Sequence, residues 1–139
     1  MRFLKTNFSK EIYICFFSLF LGTLFALCFE PFTIPFFSLL IIGLFFITND
    51  LIFRFVSKIK KIFFFHGFFF GFGFFLSSMY WISNSILELD QNLKYLIPIP
   101  LILLPLALSL FIGLMQLINA YLWDDSNSRI FFFTSTWTI

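Results

Sequence analysis

Apolar residues run along the chain in five stretches, separated by short polar or proline-containing segments. The stretches cover residues 12–29, 32–47, 62–86, 96–123 and 130–139. A helix rises about 1.5 Å per residue, so about 20 apolar residues can cross a hydrocarbon core of about 30 Å. The pattern therefore predicts an all-α membrane protein in one domain, residues 1–139. We expect a bundle of four complete transmembrane helices plus a truncated fifth.

The third stretch is predicted to be a transmembrane helix that packs against its neighbours. From Phe63 to Ile86 it carries no charged residue, unless His66 is protonated. An α-helix turns by about 100° per residue, which places a set of small and aromatic residues on one face of this stretch. They are Gly67, Gly71, Phe74, Ser78, Trp81 and Ser85. Because lipid tails provide no hydrophobic drive between helices, Gly67-x-x-x-Gly71 favours the close approach of another helix. Ser78 and Ser85 are predicted to hydrogen-bond across that contact.

Two other stretches carry residues that favour helix packing. The first contains the small-residue series Ser18-x-x-x-Gly22-x-x-x-Ala26, and the fourth contains Gln116 and Asn119. Small residues bring helix backbones together, and amides bond across helices in membranes. We therefore expect Gln116 and Asn119 to bond to neighbouring helices.

Composition excludes an ordinary soluble domain, because 60% of the 139 residues are hydrophobic and only 12% are charged. Cys15 and Cys28 fall in one predicted helix, about 20 Å apart, too far to bond to each other. We interpret both as small apolar fillers. No metal spacing, phosphate loop or nucleophile motif is present, so no catalytic residue, cofactor or metal ligand is assigned.

The basic residues predict the orientation. Eight of the nine Lys and Arg residues lie before the first stretch, within residues 49–61, or just before the fifth stretch, and only Lys94 lies on the other side. The positive-inside rule then predicts a cytoplasmic N-terminus and a basic cytoplasmic loop at 49–61. The mixture of basic and apolar residues in that loop suits a helix lying on an anionic membrane surface, not nucleic-acid binding.

The fifth stretch is short. Ten helical residues span about 15 Å, half of the hydrocarbon core. A carboxylate at Ile139 would then lie inside the membrane at a cost of several kcal/mol. We interpret this as a fragment of a longer protein, or as a last segment that does not insert.

Three segments, in order, resemble the N-terminal membrane part of apolipoprotein N-acyltransferase. They are Gly22–Phe32 followed by Pro35, the Gly-aromatic helix Gly67–Ile86, and Thr134-Ser-Thr-Trp137. Phe29, Pro31, Phe32, Trp81 and Ser85 match the family pattern near the outer face. The resemblance implies that these five residues have a structural role, or alternatively line a lipid entrance.

The resemblance implies the last step of bacterial lipoprotein maturation, in which an acyl chain moves from a phospholipid to the α-amine of a diacylglyceryl-cysteine. In the family a nitrilase-like domain supplies a Glu base, a Lys stabiliser and a Cys nucleophile through a thioester. None of these can be placed on this chain, which we expect to be inactive alone. The implied location is the bacterial inner membrane, with several crossings.

The implied partners are membrane phospholipid and either the apolipoprotein substrate or a separately encoded catalytic domain. Two other functions stay open from the residues themselves. One is a small non-catalytic membrane protein that acts as an assembly partner through its small-residue stripes. The other is a transporter, which the uninterrupted apolar runs and the lack of a repeat disfavour.

Overall fold

The structure is a computed structural model that describes residues 2–29, 34–55, 59–79, 98–123, 130–131 and 133–135. Four long helices make up most of this part of the chain: α1 (Arg2–Ala26), α2 (Pro35–Phe55), α3 (Ile59–Ser78) and α4 (Pro98–Leu122). Residues 130–131 and 133–135 are also helical, and the described residues contain no strand. The all-helical prediction is thus confirmed for the described residues.

Prolines mark the start of two helices. α2 begins at Pro35 and α4 at Pro98, a position where the missing backbone N–H is not needed by the helix. α4 continues through Pro105, which is buried inside the bundle. The end of α1 tightens into successive three-residue turns, in which Cys28 N donates to Phe25 O at 3.1 Å.

The C-terminal half of α2 differs from the predicted basic loop at 49–61. The helix continues to Phe55, and α3 begins at Ile59. Asn49 and Ile52 are buried within the bundle. Arg54 Nε donates to Asp50 Oδ2 at 2.9 Å along the helix. Asn49 is helical because the bundle buries it, and Asp50 and Arg54 are helical because they pair over one turn. The distribution of charge along the sequence does not show either effect.

Three helices are long and apolar enough to cross a membrane: Phe36–Phe55, Lys60–Ser78 and Ile99–Leu122. The apolar part of α1, Glu11–Ala26, is shorter. It rises about 24 Å, less than a hydrocarbon core of about 30 Å. The described residues therefore give three candidate spans and do not confirm the predicted bundle of four complete helices plus a truncated fifth.

α3 lies at the centre of the bundle, with α1 and α4 packed closely along it. α1 runs parallel to α3, since Ser18 contacts His66 and Gly22 lies against Phe70 further along both helices. α2 approaches α1 and α3 closely over a much smaller part of its length. α3 is therefore the helix on which the others are arranged.

Glycines bring α1 and α3 into backbone contact. Gly22 on α1 faces the Phe70 carbonyl and the Phe74 nitrogen of α3. Gly73 on α3 faces the Leu19 carbonyl and the Thr23 nitrogen of α1. A Cβ atom at either glycine would collide with the facing backbone, so only glycine permits this separation between the two helices.

A second set of glycines forms the contact between α3 and α4. A Cβ on Gly67 would lie 2.9 Å from the Ile112 carbonyl oxygen, and one on Gly71 would lie 3.1 Å from Ile112 Cβ. From the other side, a Cβ on Gly113 would lie 3.2 Å from the Phe64 carbonyl oxygen. α3 thus presents glycines on two faces, one to each neighbour.

Aromatic rings fill the space between the helices. Phe45, Phe63 and Trp123 are almost fully buried. The Phe63 and Trp123 rings meet edge to face at 5.6 Å, and Trp123 meets Phe133 in the same way at 6.3 Å. Such pairs add to the burial of their area. They fix the helical residues around Phe133 against the end of α4.

The glycine contacts give a direct test. Replacing Gly22 or Gly73 with Ala should lower the free energy of unfolding in detergent by about 1–3 kcal/mol, because the added methyl overpacks the α1–α3 contact. Gly43→Ala is the matched control, since a Cβ on Gly43 has no atom within 4 Å. That substitution should be neutral or slightly stabilising. Equal losses at all three positions in a denaturant titration would contradict the assignment.

Candidate functional site

The residues predicted as a lipid-cleft or packing site are distributed over the structure. Phe29, about half exposed, follows α1 and its ring lies 5.5 Å from the rings of Phe25 and Phe74. Gly67 and Gly71 face α4, as described above. The other members of the set lie outside the described residues: Pro31, Phe32, Trp81 and Ser85. Of the three members that the structure describes, Gly67 and Gly71 lie together against α4.

The predicted bond of Ser78 across the helix contact is not among the bonds of the described residues. The Ser78 hydroxyl donates to the Phe75 carbonyl of its own helix at 3.4 Å. On the predicted face, Gly67 and Gly71 meet α4, whereas Phe74 lies against α1. The residues predicted to form one face of α3 therefore take part in two contacts, one with α4 and one with α1.

Buried polar side chains form a second cluster, which we call the polar seam. Every member is fully buried, and together they come from all four helices: Ser18, Asn49, His66, Gln116 and Asn119. Burying polar groups inside an apolar bundle is costly unless they bond to each other. The seam is therefore the part of the interior whose chemistry differs from simple packing.

The first half of the seam joins α1 to α3. The Ser18 hydroxyl donates to the Ile14 carbonyl at 2.6 Å. Its oxygen also contacts His66 Nδ1. A hydroxyl has one hydrogen, so the direction of the bond between Ser18 and His66 follows from which ring nitrogen carries the proton. In either tautomer the contact joins α1 to α3 inside the bundle.

The second half of the seam joins α2 to α4. Gln116 Nε2 donates to Asn49 Oδ1 at 2.7 Å, and Asn119 Nδ2 donates to Gln116 Oε1 at 2.9 Å. The prediction of an interhelical bond is thus confirmed for Gln116. Its partner was not predicted, because Asn49 was placed in a loop.

Stacking connects the two halves. The His66 ring lies on the Phe45 ring at 4.2 Å with an angle of 18° between their planes. Phe45 also meets Phe70 at 4.4 Å. Since Phe45 and Asn49 are one turn apart on α2, the same face of α2 contacts His66 on α3 and Gln116 on α4. α2 therefore meets the bundle both through aromatic contacts of Phe45 and through the amide bond of Asn49.

Three buried polar atoms have no hydrogen-bond partner among the described residues: Asn49 Nδ2, His66 Nε2 and Trp123 Nε1. Asn49 Nδ2 and Trp123 Nε1 are donors, and His66 Nε2 donates or accepts according to the tautomer of the ring. The seam therefore has more hydrogen-bonding capacity than its internal bonds use. A single imidazole within an apolar run is the signal that could have identified His66 from the sequence.

A groove between α1 and α3, the α1–α3 groove, opens on the bundle surface with a volume of about 310 Å³. Charged side chains of Glu11 and Lys61 occur at one end, and the remaining lining is apolar apart from Cys15. Glu, Lys and Cys are also the residue types of a nitrilase-like triad. The structure records no hydrogen bond or ion pair among these three described residues, so it does not support an activated thiol here.

A second groove lies between α1 and α2, with a volume of about 570 Å³. The described residues that line it carry no charge. The lining residues are Tyr13, Ile14, Phe17, Thr48, Leu51, Ile52 and Phe55. We call it the α1–α2 groove, and it differs from the first groove mainly in lacking a charged end.

Three candidate membrane spans, helix contacts built on glycine and a buried polar seam together define the membrane domain of a helical protein. Comparison with known proteins gives the family. Residues 21–139 match the family model described as apolipoprotein N-acyltransferase N-terminal domain. The chain therefore belongs to the apolipoprotein N-acyltransferase family.

Curated relatives agree over a shorter part of the chain. The apolipoprotein N-acyltransferases of Sinorhizobium fredii and Rhizobium meliloti are each 36% identical over 64 residues, which is 46% of this chain and 12% of the relative. That of Brucella melitensis biotype 1 is 34% identical over 67 residues, which is 48% of this chain and 13% of the relative. The match thus spans about an eighth of each relative's length. No solved structure matches the chain.

The amide bond between α2 and α4 can be measured with a double-mutant cycle. Asn49→Leu and Gln116→Leu should each destabilise the bundle, because each leaves a buried amide partner unpaired. Their coupling energy should be about 0.6–1.7 kcal/mol, the range found for polar pairs in membrane bundles.

Thr48→Val is the matched control for Asn49→Leu. Thr48 is a buried neighbour on α2 whose hydroxyl donates to the Leu44 carbonyl of its own helix at 2.8 Å. Its effect should add to that of Gln116→Leu without coupling. A cycle with no coupling between Asn49 and Gln116 would contradict the bond.

Proposed function

We propose that the chain is the membrane-embedded N-terminal part of an apolipoprotein N-acyltransferase. Its helices anchor the enzyme and shape the membrane side of the protein, and they do not carry the acyl transfer themselves. The observation that supports this most strongly is the family match over residues 21–139 on a bundle with three candidate spans. The substrates would be those of the family: a phospholipid acyl donor and the N-terminal diacylglyceryl-cysteine of a lipoprotein.

The proposed location is the bacterial inner membrane, with the N-terminus in the cytoplasm. The distribution of Lys and Arg supports this orientation. The end of α1 at Phe29 then faces outward, where an acyltransferase domain on the periplasmic side would meet the bundle. In this arrangement Phe29, Pro31, Phe32, Trp81 and Ser85 support the outer end of the helices or line a lipid entrance.

The assembly-partner alternative has less support. In that alternative, two sets of small residues bind a second protein. One set is Ser18, Gly22 and Ala26, and the other is Gly67 and Gly71. In the described part of the chain, Gly22 faces α3, and Gly67 and Gly71 face α4 of the same molecule. These surfaces are therefore already occupied, which favours the role of a self-packed membrane domain.

A chimera tests the proposed function. The chain replaces the matching N-terminal region of the Sinorhizobium fredii relative, and growth is measured in cells depleted of lipoprotein N-acylation. We expect the chimera to restore growth and N-acylated lipoprotein, and the chain alone to restore neither, because the proposed catalytic groups are outside it.

Two controls make this result specific. A chimera carrying Gly22→Leu should fail, since the bulkier side chain separates α1 from α3, whereas Gly43→Leu should still restore growth. Restoration by the chain alone would overturn the proposal. So would failure of a chimera that accumulates in the membrane.

The orientation has its own test. Alkaline phosphatase, which is active only outside the cytoplasm, is fused after Ser57, Asp90 or Asp125. The Lys and Arg residues at 2–10 and 49–61 predict a cytoplasmic Ser57, and alternate crossings by the next two apolar stretches then predict activity only for the fusion at Asp90. Activity at Ser57 or Asp125, with none at Asp90, would reverse the proposed orientation.

A further inference from the structure

We propose that the α1–α3 groove is a binding site for a single glycerophospholipid, separate from the acyl donor site of the proposed enzyme. One acyl chain lies in the groove between the two helices, and the lipid phosphate lies at Lys61. The site is formed by the parallel packing of α1 and α3. It needs the chain to be in a bilayer but does not depend on acyl transfer.

The groove has the shape and depth of an acyl-chain site. Its apolar lining runs along both helices from the charged end, and consists of Ile12, Phe16, Leu19, Ile62, Phe65 and Phe69. Because α1 and α3 are parallel, the groove follows the helix direction for about 12 Å. Half of a hydrocarbon core of about 30 Å is about 15 Å, so the groove covers most of the depth of one leaflet.

The charges lie where a lipid headgroup would be. Lys61 is exposed and comes at the start of the candidate span Lys60–Ser78, which places its ammonium group at the membrane boundary. Its Nζ lies 5.8 Å from the centre of the Phe65 ring, so the stem extends along the groove lining. An ammonium group in this position binds phosphate as a point charge.

Glu11 at the same end favours a headgroup with a positive group beyond the phosphate. The structure gives no ion pair between Glu11 and Lys61 in the part of the chain that it describes. The two opposite charges are therefore available to a lipid that carries both signs. A zwitterionic phospholipid complements this pair better than one with a net negative charge.

The chain contains two comparisons for this site. Lys60 precedes Lys61, but its Nζ lies over the Tyr121 ring of α4 at 3.8 Å and does not line the groove. The described lining of the α1–α2 groove is mostly apolar and carries no charged side chain. If an apolar groove were sufficient to bind a lipid, the α1–α2 groove would bind one equally well. If any basic residue nearby were sufficient, substitutions of Lys60 and Lys61 would have equal effects on lipid binding.

The experiment uses the full chain in phosphatidylcholine nanodiscs with a phosphatidylcholine that carries a diazirine on one acyl chain. After illumination, labelled residues are identified by mass spectrometry. Labelling of Phe16 and Phe65 is compared with that of Leu39 and Ile47, which are exposed on α2 and report contact with bulk lipid. We expect labelling concentrated in the α1–α3 groove relative to α2.

Variants then test the role of charge. Lys61→Gln should reduce groove labelling severalfold, because the ammonium group that would bind the lipid phosphate is removed. Lys61→Arg should retain the labelling, and Lys60→Gln should leave it unchanged. A diazirine-labelled diacylglycerol, which lacks the phosphate, should label the groove no more than it labels α2.

Cys15→Phe should also reduce groove labelling by filling the space between the helices, and Cys28→Phe is its control outside the groove. Equal labelling of the groove and α2, or equal effects of Lys60→Gln and Lys61→Gln, would overturn the proposal. In that case labelling of Leu39 and Ile47 would still report that the chain is in the bilayer, so the two proposals fail separately.

Discussion

The close approach of α3 to its neighbours is the constraint on which the rest of the bundle depends. Inside a membrane, burying an apolar side chain against another helix gains little over burying it in lipid, so packing must be tight to be favourable. Gly22 and Gly73 allow α1 to meet α3 backbone to backbone, and Gly67, Gly71 and Gly113 do the same for α4. The positions of the polar seam and of both grooves follow from these two separations.

The polar seam fixes the position of α2 along its neighbours, which tight packing alone does not define. Packing of Phe45 and its aromatic neighbours is tolerant of small shifts, since many rotated arrangements bury similar area. The bond from Gln116 to Asn49 and the stack of His66 on Phe45 are directional and each require one relative position of the helices. α2, which has few close backbone contacts, is therefore positioned by chemistry and the other helices by shape.

Much of the architecture could be predicted from the sequence, because apolar runs and prolines are local signals. The starts of α2 and α4 at proline and the interhelical role of Gln116 follow from composition and position alone. The course of residues 49–55 could not be predicted, because basic residues are equally compatible with a loop and a helix end. The pairing of Ser18 with His66 was also missed, since no local pattern says which helices are neighbours.

The two amides that bond in the polar seam are far apart along the chain. This distance affects the order in which helix contacts can form during synthesis. Asn49 and Gln116 are 67 residues apart. At about 5–20 residues per second, a ribosome makes Asn49 on the order of several seconds before its partner exists. During that time α2 carries an unsatisfied amide, while Ser18 and His66 are already available to each other. The α1–α3 pair can therefore form first, and α2 is fixed only after α4 arrives.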